Sequence, residues 1–251
     1  MVDWLSAGVT RRRLLASTAV FAVSSLGTQA LGRTYRGGAL PWEPNDTAPP
    51  VPVRPGPWLY LTADEAAAVE AIVDRLIPPD ESGPGGKAAG CAVFIDRQLA
   101  GAFGDARALH MRPPFAIGAP SQGPQSSVVP KERYRTSLAA LDEYCKGGFG
   151  GKSFALLDAA QQDHILTGLE NGDIKLKDGS GKDFFETILA NTIEGFFADP
   201  IYGGNRDMAG WKLIGFPGAR YDYRDHVGKH NQPYPLPPVS ILGRAAWSVP
   251  D

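Results

Sequence analysis

Apolar residues at Val69, Ile72, Val73, Leu76 and Ile77 recur with the 3.6-residue period of an α-helix, while Glu70, Asp74 and Arg75 fall on other faces. Thr62-Ala63-Asp64-Glu65, just before them, has capping-box spacing: the Thr hydroxyl and the Glu three residues later satisfy the first unpaired amides. Pro78-Pro79 ends the helix. After a Gly83-Pro84-Gly85-Gly86 turn, a second pattern runs over 88–101 through Val93, Phe94, Ile95 and Leu99, and the two helices are expected to form a hairpin. Three more patterns follow, at 131–144 (Tyr134, Leu138, Leu141), at 153–169 (Phe154, Leu157, Ile165, Leu166, Leu169) and at 182–197 (Phe185, Ile188, Leu189, Thr192, Ile193, Phe196). No run of alternating β-branched residues is long enough for a strand. The pattern predicts a mainly α fold, a compact helical core of about five or six helices spanning 61–218.

Between and beyond these patterns the chain is broken by Pro and Gly, with 22 Pro and 30 Gly in 251 residues. Residues 31–60 and 219–251 read as extended N- and C-terminal arms, and 104–130 as a long Pro/Gly-rich loop. Both arms carry aromatics (Trp42, Trp58, Tyr221, Tyr223, Tyr234, Trp247), which are costly to leave in water and are expected to lie against a partner.

Residues 1–30 read as a leader of the twin-arginine type. Thr10-Arg11-Arg12-Arg13-Leu14-Leu15 has the twin-arginine pattern, with Arg11 and Arg12 as the export signal. The apolar stretch that follows is diluted by Ser17, Thr18, Ser24 and Ser25, weaker than a membrane-spanning helix requires. Thr28-Gln29-Ala30 offers small residues to a signal peptidase, with cleavage after Ala30. The pathway carries folded cargo, so a partner loaded with its cofactor is expected to travel with this chain.

Charge then narrows the possible functions. The chain has 25 Lys and Arg against 27 Asp and Glu, for a net charge of -2. Loss of the leader removes three Arg and one Asp, leaving 22 basic and 26 acidic residues. Such a balance excludes nucleic-acid binding by bulk charge and gives no attraction to anionic lipid. Cys91 and Cys145 lie far apart in sequence, without a CxxC or a neighbouring His, which argues against a metal or thioredoxin-like site. In an oxidising compartment three arrangements stay open: a disulfide between them, a bridge to another subunit, or buried free thiols.

Signatures for dinucleotides, nucleoside triphosphates, zinc proteases, serine hydrolases and covalently attached haem do not occur. His226 and His230 have helical spacing for a metal, but Gly228 and the following prolines argue against a helix there. Glu194 and Asp199 resemble a carboxylate pair only in sequence. An Asp before Pro at a helix end more often caps the next turn.

The stretch Gly195-Phe196-Phe197-Ala198-Asp199-Pro200-Ile201-Tyr202-Gly203-Gly204-Asn205 is the most distinctive, followed by Trp211-Lys212-Leu213-Ile214-Gly215-Phe216-Pro217-Gly218. Gly203-Gly204-Asn205 tolerates positive φ and suits a tight reversal. Tyr202, Trp211 and Phe216 either anchor an interface or cover this chain's own core. With Ile72 to Asp80, Gly83-Pro84-Gly85 and Phe94-Ile95-Asp96, the DPxYGGN turn and GWxxIGFPG-like segment resemble the gluconate 2-dehydrogenase subunit 3 (small, gamma) family over roughly 60–240.

That resemblance implies a non-catalytic small subunit of a heterotrimer, periplasmic and held at the inner membrane only through its partners. The implied partners are a large dehydrogenase subunit containing FAD and a multihaem cytochrome c subunit that passes electrons to quinone. The complex would oxidise D-gluconate to 2-keto-D-gluconate, with this chain aiding maturation and export of the flavoprotein. No cofactor, metal or catalytic residue is expected in this chain. Asp199, Pro200, Tyr202, Gly203, Gly204, Asn205, Trp211 and Phe216 are the candidate interface. Two alternatives remain open, a small subunit of a related flavin sugar or polyol dehydrogenase and a stand-alone periplasmic binding or scaffold protein.

Overall fold

The chain is described by a computed structural model over residues 56–107, 111, 113–116, 118–119, 122, 126–177, 180–220 and 222–241, all within one unit spanning Trp42–Ser248. The leader with Arg11 and Arg12, most of the 31–60 arm with Trp42, and Tyr221 and Trp247 lie outside the described residues.

Six α-helices occur among the described residues: α1 (Ala63–Leu76), α2 (Cys91–Ala100), α3 (Pro130–Gly148), α4 (Ala159–Asn171), α5 (Gly181–Phe197) and α6 (Ala209–Ile214). No strand forms among them, only isolated bridges at Asp80–Gly83 and Gly218–Val239. The chain is therefore mainly α.

The start of α1 follows its sequence. Thr62 Oγ1 accepts from the Glu65 amide at 3.3 Å and Glu65 Oε2 accepts from the Thr62 amide at 2.8 Å. The helix ends at Leu76, where the Ile77 amide turns back to the Val73 carbonyl. The start of α4 differs from expectation. Residues 154–156 form a separate 3-10 turn, and the helix begins only at Ala159, where Asp158 and Gln161 form a second reciprocal capping box. The Asp-x-x-Gln signal overrides the apolar residues that suggested an earlier start.

Helix α5 is the centre of the fold and packs against all five others. Its apolar content allows this: Phe184, Phe185, Ile188 and Phe196 are buried. They meet Val69, Ile72 and Val73 of α1, Phe94, Ile95 and Leu99 of α2, Tyr134, Leu138 and Leu141 of α3, and Ile165 and Leu169 of α4 in one cluster. Each such side chain contributes about 1.5–3 kcal/mol when fully buried. Small residues set the closest approach: a Cβ on Gly195 would lie 2.9 Å from the Phe94 ring.

Cys91 and Cys145 are not joined. Each is a free, fully buried thiol, Cys91 at the start of α2 and Cys145 near the end of α3. Of the three arrangements open from sequence, the structure has the third. Both side chains face the apolar core, which leaves neither accessible to another subunit. Burial pushes the Cys91 thiol up to about 12 and, with the charge of Asp142, the Cys145 thiol up to about 11. Both should therefore stay inert to an aromatic disulfide reagent at neutral pH and react only after denaturation, as read from thiol absorbance. The pH dependence has a definite sign. The thiol contribution is fully present below the ordinary thiol value of 9.0 and is lost as pH rises towards 11 and 12, because only the unfolded chain ionises there.

Candidate functional site

The Asp199–Gly218 segment is more ordered than its glycine content suggests. Two 3-10 turns (Pro200–Tyr202 and Arg206–Met208) lead into α6, a helix of six residues bounded by Met208 and Gly215 in the left-handed region. It is too short to show a helical period, so only the fold reveals it.

Asp199 organises the segment. Its Oδ1 accepts from the Ile201 amide at 3.0 Å, capping the first 3-10 turn as an Asp before Pro is expected to do. The same oxygen accepts from Ser240 Oγ at 2.8 Å, and Oδ2 accepts from the Ile241 amide at 2.7 Å. With its oxygens so engaged, Asp199 does not form an acid–base pair with Glu194. The Glu194 carboxyl is raised above the usual carboxylate range by partial burial.

The three residues of the Gly-Gly-Asn turn have separate tasks. Gly203 takes φ +93° and Asn205 takes φ +44°, which makes the reversal. Gly204 is required by close approach instead: a Cβ there would lie 2.1 Å from the Gly195 carbonyl oxygen. Asn205, fully buried, donates from Nδ2 to the Ala198 carbonyl and accepts from the Gly210 amide, both at 2.8 Å. Trp211 Nε1 donates to the Phe197 carbonyl at 2.7 Å, so α6 is stitched to the end of α5.

The structure therefore splits the candidate interface. Asp199, Gly204, Asn205 and Trp211 are buried and hold the segment together, whereas Tyr202 (48% exposed) and Phe216 (44%) face outwards. Pro200 and Gly203 are half-buried. Leu213 (49%) and Ile214 (60%), which sequence reasoning did not single out, continue the exposed apolar rim beside Phe216. Phe216 leans edge-on against Trp211, with centroids 5.1 Å apart.

The described part of the C-terminal arm rests on this same chain. Gly218 pairs with Val239, and Val239 and Ser240 are buried. Tyr223 donates to the Gly218 carbonyl at 2.7 Å, and Tyr234 packs against Tyr223, His226 and the Arg220 guanidinium. Tyr223 and Tyr234 thus find part of their cover within the chain and stay half-buried. His226 lies in a 3-10 turn and His230 is exposed. Among the described residues no group of three or more His, Cys, Asp or Glu is placed to hold a metal, and no helix is long and apolar enough to cross a membrane.

Asp96 does at the other end of the chain what Asp199 does here. Completely buried, it accepts from the Leu59 amide on Oδ2 and from the Tyr60 and Leu61 amides on Oδ1, each at 2.9 Å. Arg97 pairs with the same carboxylate and donates to the Pro57 carbonyl at 3.2 Å. Arg135 stacks 4.4 Å over the Tyr60 ring and donates to its carbonyl at 2.9 Å. Trp58 and Tyr60 pack on the core, so the last residues of the N-terminal arm also belong to the folded body. Sequence flagged Asp96 only within the Phe94-Ile95-Asp96 motif, since its partners lie more than thirty residues away.

Neither the curated proteins nor the solved structures yielded a match to this chain. A protein-family model, that of gluconate 2-dehydrogenase subunit 3, matches residues 63–218. The match covers all six helices and ends at Gly218, where the C-terminal arm begins. On that basis the chain belongs to the gluconate 2-dehydrogenase subunit 3 family.

Proposed function

We infer that this chain is the non-catalytic small subunit of a periplasmic, inner-membrane-associated gluconate 2-dehydrogenase complex. In this reading a separate large subunit carries FAD and removes two electrons and two protons from D-gluconate, giving 2-keto-D-gluconate. A c-type cytochrome subunit takes the electrons onward to quinone. The present chain helps the flavoprotein to mature and to leave the cytoplasm folded, with Arg11 and Arg12 as the export signal for both.

The observation that carries the reading is the family match over 63–218. The layout of the matched segment supports it. A buried set (Asp199, Asn205, Trp211) fixes α6, while Tyr202, Leu213, Ile214 and Phe216 remain available to a partner. Fixing such a rim before contact lowers the ordering cost of association.

Co-purification tests the assignment. When the chain is tagged and extracted with mild detergent from the native membrane, one protein with flavin absorbance and one with haem absorbance are expected to elute with it, with gluconate-dependent dye reduction in the pooled fraction. A chain that elutes alone from active membranes would sink the proposal.

A further inference from the structure

A cavity of about 160 Å³ lies between α1 and α3, closed on one side by residues 153 and 154. Ala68, Leu138, Leu141 and Phe154 give it apolar walls, and three carboxylates stand around it: Asp64 and Glu65 from α1 and Asp142 from α3. Two cations answer them within the chain, Arg135 on Glu65 and Lys146 on Asp142 at 2.7 Å. One negative charge is left over, and it falls on the exposed Asp64, for which no ion pair is formed among the described residues.

The charge of Asp64 is felt across the opening. Lys146 is held above the ordinary lysine range first by its hydrogen bond to Asp142 and also by Asp64. Two residues after Phe154 in the same 3-10 turn, Leu156 has 69% of its surface exposed.

The geometry points to this cavity as the seat of a single basic side chain, lysine or arginine, presented by the dehydrogenase partner. An apolar recess of one side chain's size, with a net negative charge at its mouth, fits a methylene stem inside and a cation at the rim. A neutral aliphatic side chain would leave the net charge of the rim unchanged, and an acidic one would be repelled. The naming of the dehydrogenase as the partner rests on the proposed function. The chemistry of the pocket does not.

Two measurements test it. The purified full-length chain is titrated with N-acetyl-arginine amide, N-acetyl-norleucine amide and N-acetyl-glutamate amide while the methyl resonances of Ala68, Leu138 and Leu141 are followed. Saturable shifts are expected with the arginine probe, weakened about fivefold in Asp64→Asn, the size expected for one partly exposed charge partner. No saturable shift at these methyls, an equal response to norleucine, or indifference to Asp64→Asn would overturn the assignment. In the detergent-extracted complex, Asp64→Lys is expected to release the dehydrogenase at lower salt than wild type, whereas Glu170→Lys, at an exposed position on α4, should not. Equal salt resistance of Asp64→Lys and wild type, or equal weakening by both variants, would overturn docking of the dehydrogenase at this cavity. Should the wild-type chain bring no dehydrogenase with it, the functional reading falls while the titration still decides the pocket. Thermal melts of each variant separate lost binding from lost folding.

Discussion

A chain carrying Asp96→Ala is expected to lose about 3–5 kcal/mol of stability, the range for deleting one partner of a buried, fully bonded charge. The substitution leaves the amides of Leu59, Tyr60 and Leu61 without their acceptor, and Leu61 is buried where water cannot replace it. It also frees the Arg97 guanidinium, which has only the Pro57 carbonyl left. For a chain of this size the melting temperature should fall by about 6–20 °C. Asp96→Asn should recover part of the loss, because the amide oxygen can still accept while its NH2 group cannot. Hydrogen exchange gives the local reading: the amides of 59–61 should lose protection before those of α5. A melting temperature within a degree of wild type for Asp96→Ala would show that the clamp contributes nothing.

Gly204→Ala is expected to be at least as damaging, for a different reason. Its Cβ would stand 2.1 Å from the Gly195 oxygen and 2.9 Å from the Gly195 carbonyl carbon, both backbone atoms of the central helix. Neither can move aside as a side-chain tip can, so the turn must lift away from α5. That displacement pulls on the Asn205 hydrogen bonds and on the Trp211 bond to Phe197. Overpacking with such a network attached should cost more than about 3 kcal/mol. Gly215→Ala makes the control. It has open space around it and only the left-handed φ of +68°, so about 1 kcal/mol is expected. Denaturant unfolding of the two variants should differ clearly in midpoint, and similar midpoints would refute the close-packing account.

These residues also show what the sequence could and could not reveal. Five helices are legible because each carries several turns of period and a start or stop signal, such as Thr62–Glu65 for α1 or Pro130 at the head of α3. The sixth is not. Its six residues cannot display a period, and it is held by the side chain of Asn205 and the indole of Trp211 instead of by its own propensity. The Gly-Gly-Asn motif announces a reversal, yet only packing tells that Gly204 serves contact and Gly203 serves conformation. The candidate interface was legible as a segment and not as a face, because exposure depends on which side of α6 meets α5. Nothing local in the sequence tells that Leu213 and Ile214 belong to the exposed side. The Asp96 clamp was hidden by distance along the chain: an acid in an apolar helix signals a buried partner, but nothing local says that the partner is the backbone of residues 59–61.

The paired carboxylate anchors carry a lesson about where this protein begins and ends as a cooperative unit. Homology is recognisable from 63 to 218, but among the described residues the contacts that hold the body together already include Pro57 at one end and Ile241 at the other. A gene trimmed to the homologous stretch would remove the backbone donors of Asp96 at one end and the Ile241 and Ser240 donors of Asp199 at the other. Asp96 would then keep only Arg97 and Asp199 only the Ile201 amide, a costly condition for buried polar groups. The flanking residues, easily mistaken for linker, are internal ligands of the fold. Apart from the Ser240 hydroxyl they act through backbone amides, which almost any amino acid can supply, so their residue types do not mark them.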